Sequence, residues 1–229
     1  MLGITVRRSW VTGRFFLIYA SGMSAFLGIL LAISSAASFA ASYPLLLPIF
    51  GAVGSMGALA VFSSDRIKGV LEYLLAYGVT PRRLFADVLL SGLVLAAVAV
   101  GVGTGAGLGV YLAEGNAPNL SLALLLGGYG IPMSFACSAF AATIGMYWTA
   151  LSSPRQGINS PVGLAPFLGI LPSVGVLAVI TALAAAGALS TFVFLLVVGS
   201  AVGLVAVLVG VLLGLSSRLL REERLLSPA

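Results

Sequence analysis

Residues 161–215 read PVGLAPFLGILPSVGVLAVITALAAAGALSTFVFLLVVGSAVGLVAVLVGVLLGL, more than fifty positions without one Asp, Glu, Lys or Arg. As one helix rising 1.5 Å per residue, the stretch would measure about 80 Å, over twice the ~30 Å hydrocarbon core of a bilayer. It has to turn back on itself, and the weak break at Gly187 is where it can. Two spanning helices result, over Pro161–Ala186 and Ser190–Leu215.

Working outward from that pair, four more apolar segments meet the length requirement: Phe15–Ala37, Pro44–Phe62, Val88–Leu112 and Leu120–Leu151. The last is overlong for a single crossing, and Gly127, Gly128, Gly130 and Pro132 predict a break or a re-entrant entry within it. The first is too long for the apolar core of a signal peptide and counts as a span. Only 7% of the 229 residues are charged and 60% are hydrophobic, with a mean hydropathy of +1.18. A soluble domain carries about 25% charged residues. The expected fold is therefore one all-α polytopic membrane domain, residues 1–229, with six transmembrane helices.

The positions of the charges test the count. With six spans, the N-terminus, the second and fourth connections and the C-terminus share one side of the membrane. Those segments hold all eleven basic residues: Arg7, Arg8, Arg14, Arg66, Lys68, Arg82, Arg83, Arg155, Arg218, Arg221 and Arg224. Lys and Arg gather on the cytoplasmic side, so both termini are expected there, in a multi-pass protein of the cell membrane. The net charge of +5 is thus a topology signal, with membrane lipids and not nucleic acid as its partner. The opposite connections, Ser38–Tyr43, Ala113–Asn119 and Gly187–Leu189, carry only Glu114. Tyr43 and Tyr111 at one boundary, and Trp10, Tyr147 and Trp148 at the other, are placed as aromatic belts would be.

The composition also excludes several classes of chemistry. There is no His, so the commonest metal ligand and general base are both missing, and no Ser has an imidazole to activate it. Cys137, alone in an apolar run, behaves as a small hydrophobe. The single lysine, Lys68, is followed by Gly69, which breaks the Walker A pattern of Lys followed by Ser or Thr. No ionisable residue lies near the middle of any span, whereas ion-coupled carriers need such groups to hold the coupling ion. Any work done on a substrate draws its energy from outside this chain.

One connection stands apart. Residues 63–87 hold four of the eleven basic residues and three of the six acids. Ile67, Val70, Leu71, Leu74 and Leu75 fall at i, i+3, i+4, i+7 and i+8, one apolar stripe of a short helix. Ser63, Ser64 or Asp65 can cap its start, and Gly78 or Thr80–Pro81 can end it. Such a stripe suits two seats, the lipid interface or a groove in a cytoplasmic partner.

Residues 69–84, GVLEYLLAYGVTPRRL, resemble the loop between the second and third helices of type-2 ABC transporter permeases, which follows the pattern G-T-L-E-x-L-L-x-x-P-V-S-R-x-x-L. Gly69, Leu71, Glu72, Leu74, Leu75, Val79 and Leu84 match, with Thr80 for the family Ser. Val70 replaces Thr, Gly78 replaces the family Pro, and Pro81 stands where Arg is common, with Arg82 one place later. The resemblance implies a coupling helix seated on an ABC ATPase subunit, with Arg66, Ile67, Gly69, Val70, Leu71, Glu72, Leu74, Leu75, Arg82 and Arg83 near the contact. It further implies a basic interfacial helix over residues 1–14, a cytoplasmic tail over 216–229, and a second permease subunit as homodimer or heterodimer partner. This chain would carry no cofactor, ATP and Mg being held by the ATPase. The haem-exporter B subunit of cytochrome c maturation is similar in size and loop pattern, although this chain has no imidazole for haem.

The third span alternates glycine at 101, 103, 105, 107 and 109, and the sixth carries Gly199/Gly203 and Gly210/Gly214. Small-xxx-small rows let helix backbones approach closely. Gly101, Gly105, Gly109, Gly199 and Gly203 are accordingly expected at helix contacts, inside the subunit or at a dimer seam. The expected function is the permease subunit of an ATP-driven exporter of hydrophobic or amphipathic substrates, itself not an enzyme. A stand-alone secondary carrier or channel is the alternative from a different class.

Overall fold

The computed structural model describes residues 2–151 and 164–219, and every regular element within them is helical. Helix α1 (Leu2–Thr12) turns at Gly13 into α2 (Arg14–Ser34), followed by α3 (Ala36–Ile67), the short α4 (Val70–Ala76) and α5 (Pro81–Ala113). Next come α6 (Leu120–Ala123), a π-helical segment (Leu124–Gly130) and α7 (Ile131–Leu151), then α8 (Ala165–Gly169), α9 (Leu171–Ala185) and α10 (Thr191–Leu219). Six stretches are long and apolar enough to cross a bilayer: Arg14–Ser34, Ala36–Ile67, Pro81–Ala113, Leu120–Thr149, Ala165–Ala185 and Thr191–Ser216. The chain is a multi-pass α-helical membrane protein. The turn between the last two spans falls at Gly187, whose φ of 68° is a conformation that glycine adopts freely.

Three boundaries differ from expectation, each for a local reason. The connection placed at Ser38–Tyr43 is helical, because Ser35 alone makes the turn. Its backbone is extended, and its hydroxyl accepts from the Ser38 amide at 3.0 Å, capping α3 at once. Helix α5 starts at Pro81, with Thr80 as its cap and proline at the first position, where its missing N–H costs nothing. Arg82 and Arg83 therefore sit on the first turn of a helix and not in a loop. In the fourth span the glycines and Pro132 produce neither a break nor a re-entrant entry. The ladder loosens into π geometry over Leu124–Gly130 and continues, which lets the segment through Ile131 and Pro132 follow on as one crossing.

Helix α3 is the axis of the bundle, with 72% of its apolar stretch buried against 17% for each of the last two spans. Its glycines at three-residue spacing each meet a different neighbour. A Cβ on Gly51 would lie 2.5 Å from the Ser134 carbonyl of α7, one on Gly54 3.1 Å from Ala96 of α5, and one on Gly57 3.3 Å from Gly13 at the α1–α2 joint. Backbones at such distances gain dispersion contacts that no larger residue permits, the main attractive term between helices in lipid.

Two apolar clusters close the ends. Leu17, Leu59, Phe62, Phe85 and Met146 fill the end that carries α1 and α4, with Phe62 and Phe85 in edge-on contact at 5.6 Å between ring centres. Phe39, Tyr43, Leu47, Tyr111 and Leu122 fill the other. Tyr43 and Tyr111 are thus core residues, 0% and 2% exposed, and not the aromatic belt expected of them. Tyr43 stacks on Phe39 and Tyr111 packs tilted against it, and the Tyr43 hydroxyl lies 3.1 Å from Ser24 Oγ, so the phenol has its partner inside the bundle. Trp10 and Trp148 are exposed, at 47% and 39%.

Candidate functional site

Helix α4 lies across one end of the bundle, and its ends are set by glycine. Gly69 and Gly78 take φ of 70° and 78°, left-handed conformations that a β-carbon disfavours, and between them the chain makes two turns. The exit is a Schellman motif: the Gly78 amide donates to Leu75 O at 2.9 Å and the Val79 amide to Leu74 O at 3.0 Å. Ser63, Ser64 and Asp65, expected as caps of this helix, instead belong to the last turns of α3, which runs on to Ile67.

The apolar stripe takes neither of the seats the sequence leaves open. Leu71 and Leu75 are 2% and 9% exposed and join the cluster of Leu17, Phe62 and Phe85, with Leu74 packed against it. The stripe seals α4 onto its own bundle, against the end of α3 and within the apolar cluster that Phe85 of α5 shares. Ile67 falls off the stripe and is exposed, as are Tyr73 and Tyr77, at 68% and 85%. The outward face of α4 is therefore aromatic, flanked by the exposed Lys68, Arg82 and Arg83 and by the half-buried Arg66, Gly69 and Val70. The side chain of Glu72 lies outside the described residues, as do the expected Arg155 connection and the tail beyond residue 219.

A polar contact that the sequence reading missed ties this end together. The Arg8 guanidinium of α1 grips both carboxylate oxygens of Asp65, donating Nη1 to Oδ2 at 2.9 Å and Nη2 to Oδ1. Asp65 is 6% exposed and sits at the end of α3, two residues before the chain leaves for α4. The pairing joins positions 57 apart in sequence, so no local pattern announces it. The sequence around Asp65, Ser63-Ser64-Asp65-Arg66, is polar throughout and gives no local sign of the pairing. Removing Arg8 leaves that carboxylate buried and unpaired. Arg8→Ala is expected to cost about 2 kcal/mol, between the values for exposed and fully buried pairs. The double change Arg8→Ala/Asp65→Ala should recover part of that loss in a thermal melt of the purified chain. A single variant that melts like the parent would show the pair to be inert.

The glycine rows divide unexpectedly. Gly103 and Gly107 face the interior, Gly107 so closely that a Cβ would lie 2.7 Å from the Phe39 ring and 3.1 Å from Gly28 of α2. Gly101, Gly105 and Gly109 face outward with nothing within 4 Å, and so do Gly199 and Gly203 on α10. The five expected contact glycines thus make no contact inside the subunit.

Two apolar grooves open on the flanks. One of 360 Å³ lies between α2, α3 and α8, lined by Phe15, Tyr19, Val53, Met56, Phe167 and Ile170. The other, of 520 Å³, lies between α9 and α10 beside Phe140. No cluster of three metal-ligating side chains exists among the described residues. The chain matches no protein-family model, no curated protein and no solved structure. The α4 end presents Tyr73 and Tyr77 outward, with the cations Lys68, Arg82 and Arg83 on the segments that flank the helix.

Proposed function

We propose that the chain is the membrane-spanning subunit of an ATP-driven exporter, built in the manner of a type-2 ABC permease and assembled with separate ATPase subunits and a second permease subunit. The observation that carries this reading is the two-sided seating of α4. Its inner leucines are wedged among Phe62 of α3 and Phe85 of α5, while Tyr73 and Tyr77 point away. A force applied to the tyrosine face is passed through Leu71 and Leu75 to the ends of two spans, with no flexible side chain between. The left-handed glycines at either end let α4 tilt as a unit. The basic residues around it favour a cytoplasmic position for this end, where an ATPase would be met. Spans without ionisable residues at mid-depth favour this external energy source over an ion-driven carrier.

On this reading, the seating narrows the residues available to the ATPase. Leu71 and Leu75 are spent on the bundle, so the docking contacts fall to Ile67, Tyr73 and Tyr77 with Arg82 and Arg83 around them. The outward glycines of α5 and α10 leave flat apolar surface for a second permease subunit. The cargo is a hydrophobic or amphipathic molecule drawn from the membrane, in keeping with flanking grooves lined by apolar side chains.

The test uses the full chain in its own membranes with a photo-crosslinking phenylalanine at Tyr77. The expected product is an adduct with a protein carrying a P-loop and the ABC signature, and adding Tyr73→Ala to the probe-bearing chain should cut its recovery about tenfold, an interface loss of about 1.4 kcal/mol. Adducts with lipid alone, in membranes where such an ATPase is present, would overturn the reading.

A further inference from the structure

Beyond the apolar lining invoked above for the cargo, the 360 Å³ groove has an aromatic rim and a neighbouring cation that the exporter reading does not use. Its walls are aromatic at the rim: Phe15 and Phe167 are 71% and 68% exposed, and Tyr19 stacks on Phe15 with ring centres 6.4 Å apart. Its floor is α3 from Ile49 to Met56, eight residues spanning about 10 Å of helix, shorter than the ~15 Å depth of one bilayer leaflet. It starts at the first turn of α2, beside the end of the bundle where the cations gather, so it runs from headgroup level inward. Arg14, the residue before Phe15, is exposed at that level, and Arg7 is exposed on α1. Arg8, by contrast, is taken up by Asp65.

We infer that this groove holds one acyl chain of an anionic phospholipid from the leaflet on the α4 side, with the headgroup phosphate on Arg14. Charge complementarity selects the occupant. An apolar slot alone gains nothing by exchanging one lipid tail for another, since every tail is as apolar as the slot. A guanidinium at headgroup depth does discriminate, by about fivefold for a single basic residue near an anionic surface. A slot of this volume, at the lower end of the range for small-molecule sites, admits one chain and excludes a packed helix. The site is independent of any ATPase.

The experiment places the full chain in nanodiscs with phosphatidylglycerol bearing a photoreactive group on one acyl chain. Labelling is expected to concentrate on residues 15–19 and 49–56. Unlabelled phosphatidylglycerol should compete at about one-fifth the concentration needed for phosphatidylcholine. Arg14→Gln should bring the two competitors level, and Val53→Trp, which fills the floor, should suppress the groove label. Because Val53→Trp could disturb folding, Phe167→Ala at the exposed rim is read alongside it and should lower the labelling with an unchanged melting temperature. Equal labelling of the outward face of α10, equal competition by the two lipids, or a Phe15→Cys disulfide joining two copies across the groove would each overturn the site.

Discussion

A chain carrying Gly103→Leu is expected to melt far below the parent, while Gly105→Leu, two positions along the same helix, melts like the parent. The inward glycine abuts α2 so closely that an added Cβ would collide with Ser24 and come within 2.7 Å of the Tyr43 hydroxyl. Neither neighbour can retreat. Ser24 and Tyr43 are fully buried and hydrogen-bonded to each other, and Tyr43 is stacked on Phe39. Overpacking alone costs about 1–3 kcal/mol, and prising α2 from α5 forfeits the Gly28–Gly107 approach as well, so about 4 kcal/mol is expected in all. Such a loss is a large share of a stability of about 5–15 kcal/mol. The outward glycine has open space at its Cβ position. Size-exclusion profiles and thermal melts in detergent distinguish the two, and a Gly103→Leu chain that melts within a few degrees of the parent would contradict the packing described. If Gly105→Leu instead alters only the oligomeric state, the outward row is a seam between copies.

Leu71→Asp is expected to be nearly as damaging, although its site is a two-turn helix at the margin of the membrane. The side chain is 2% exposed in the apolar cluster of Leu17, Phe62 and Phe85. An unpaired carboxylate there costs about 3 kcal/mol or more, or else α4 lifts off the bundle to hydrate it. Tyr77→Ala, six residues on, removes a side chain that is 85% exposed and should shift stability by no more than about 0.5 kcal/mol. The contrast matters for function. A loss of ATPase binding in Leu71→Asp would report an unseated helix, whereas the same loss in Tyr77→Ala would report a docking surface. Limited proteolysis after Tyr77 in the Leu71→Asp chain, absent from the parent, is the direct sign of lifting.

The six spans, the turn at Gly187 and the glycine stop after α4 could all be read from the sequence, because length, charge and left-handed backbone are properties that a run of residues carries by itself. What faces what could not. Periodicity marks Leu71 and Leu75 as one side of a helix, but lipid, a partner and the chain's own core are equally apolar. Alternating glycines in α5 make two equivalent rows, and the choice of Gly103 and Gly107 over Gly101, Gly105 and Gly109 is made by Ser24 and Gly28, some eighty positions away. Asp65 reads locally as a helix cap, and only the fold brings Arg8 to it. Tyr43 and Tyr111 lie at the right depth for a belt, yet their hydroxyls have partners in the bundle, Ser24 for one and the Ala117 carbonyl for the other, which frees the rings to turn inward.

The capped turn at Ser35 has a practical consequence. Because one residue joins α2 to α3, and residues 186–190 join α9 to α10 almost as tightly, the side of the protein away from α4 offers almost nothing to grip. An epitope tag, a glycosylation sequon or a protease site engineered there has one admissible address, the stretch from Glu114 to Asn119. Reagents added from that side would find Glu114 as a charged handle in that stretch.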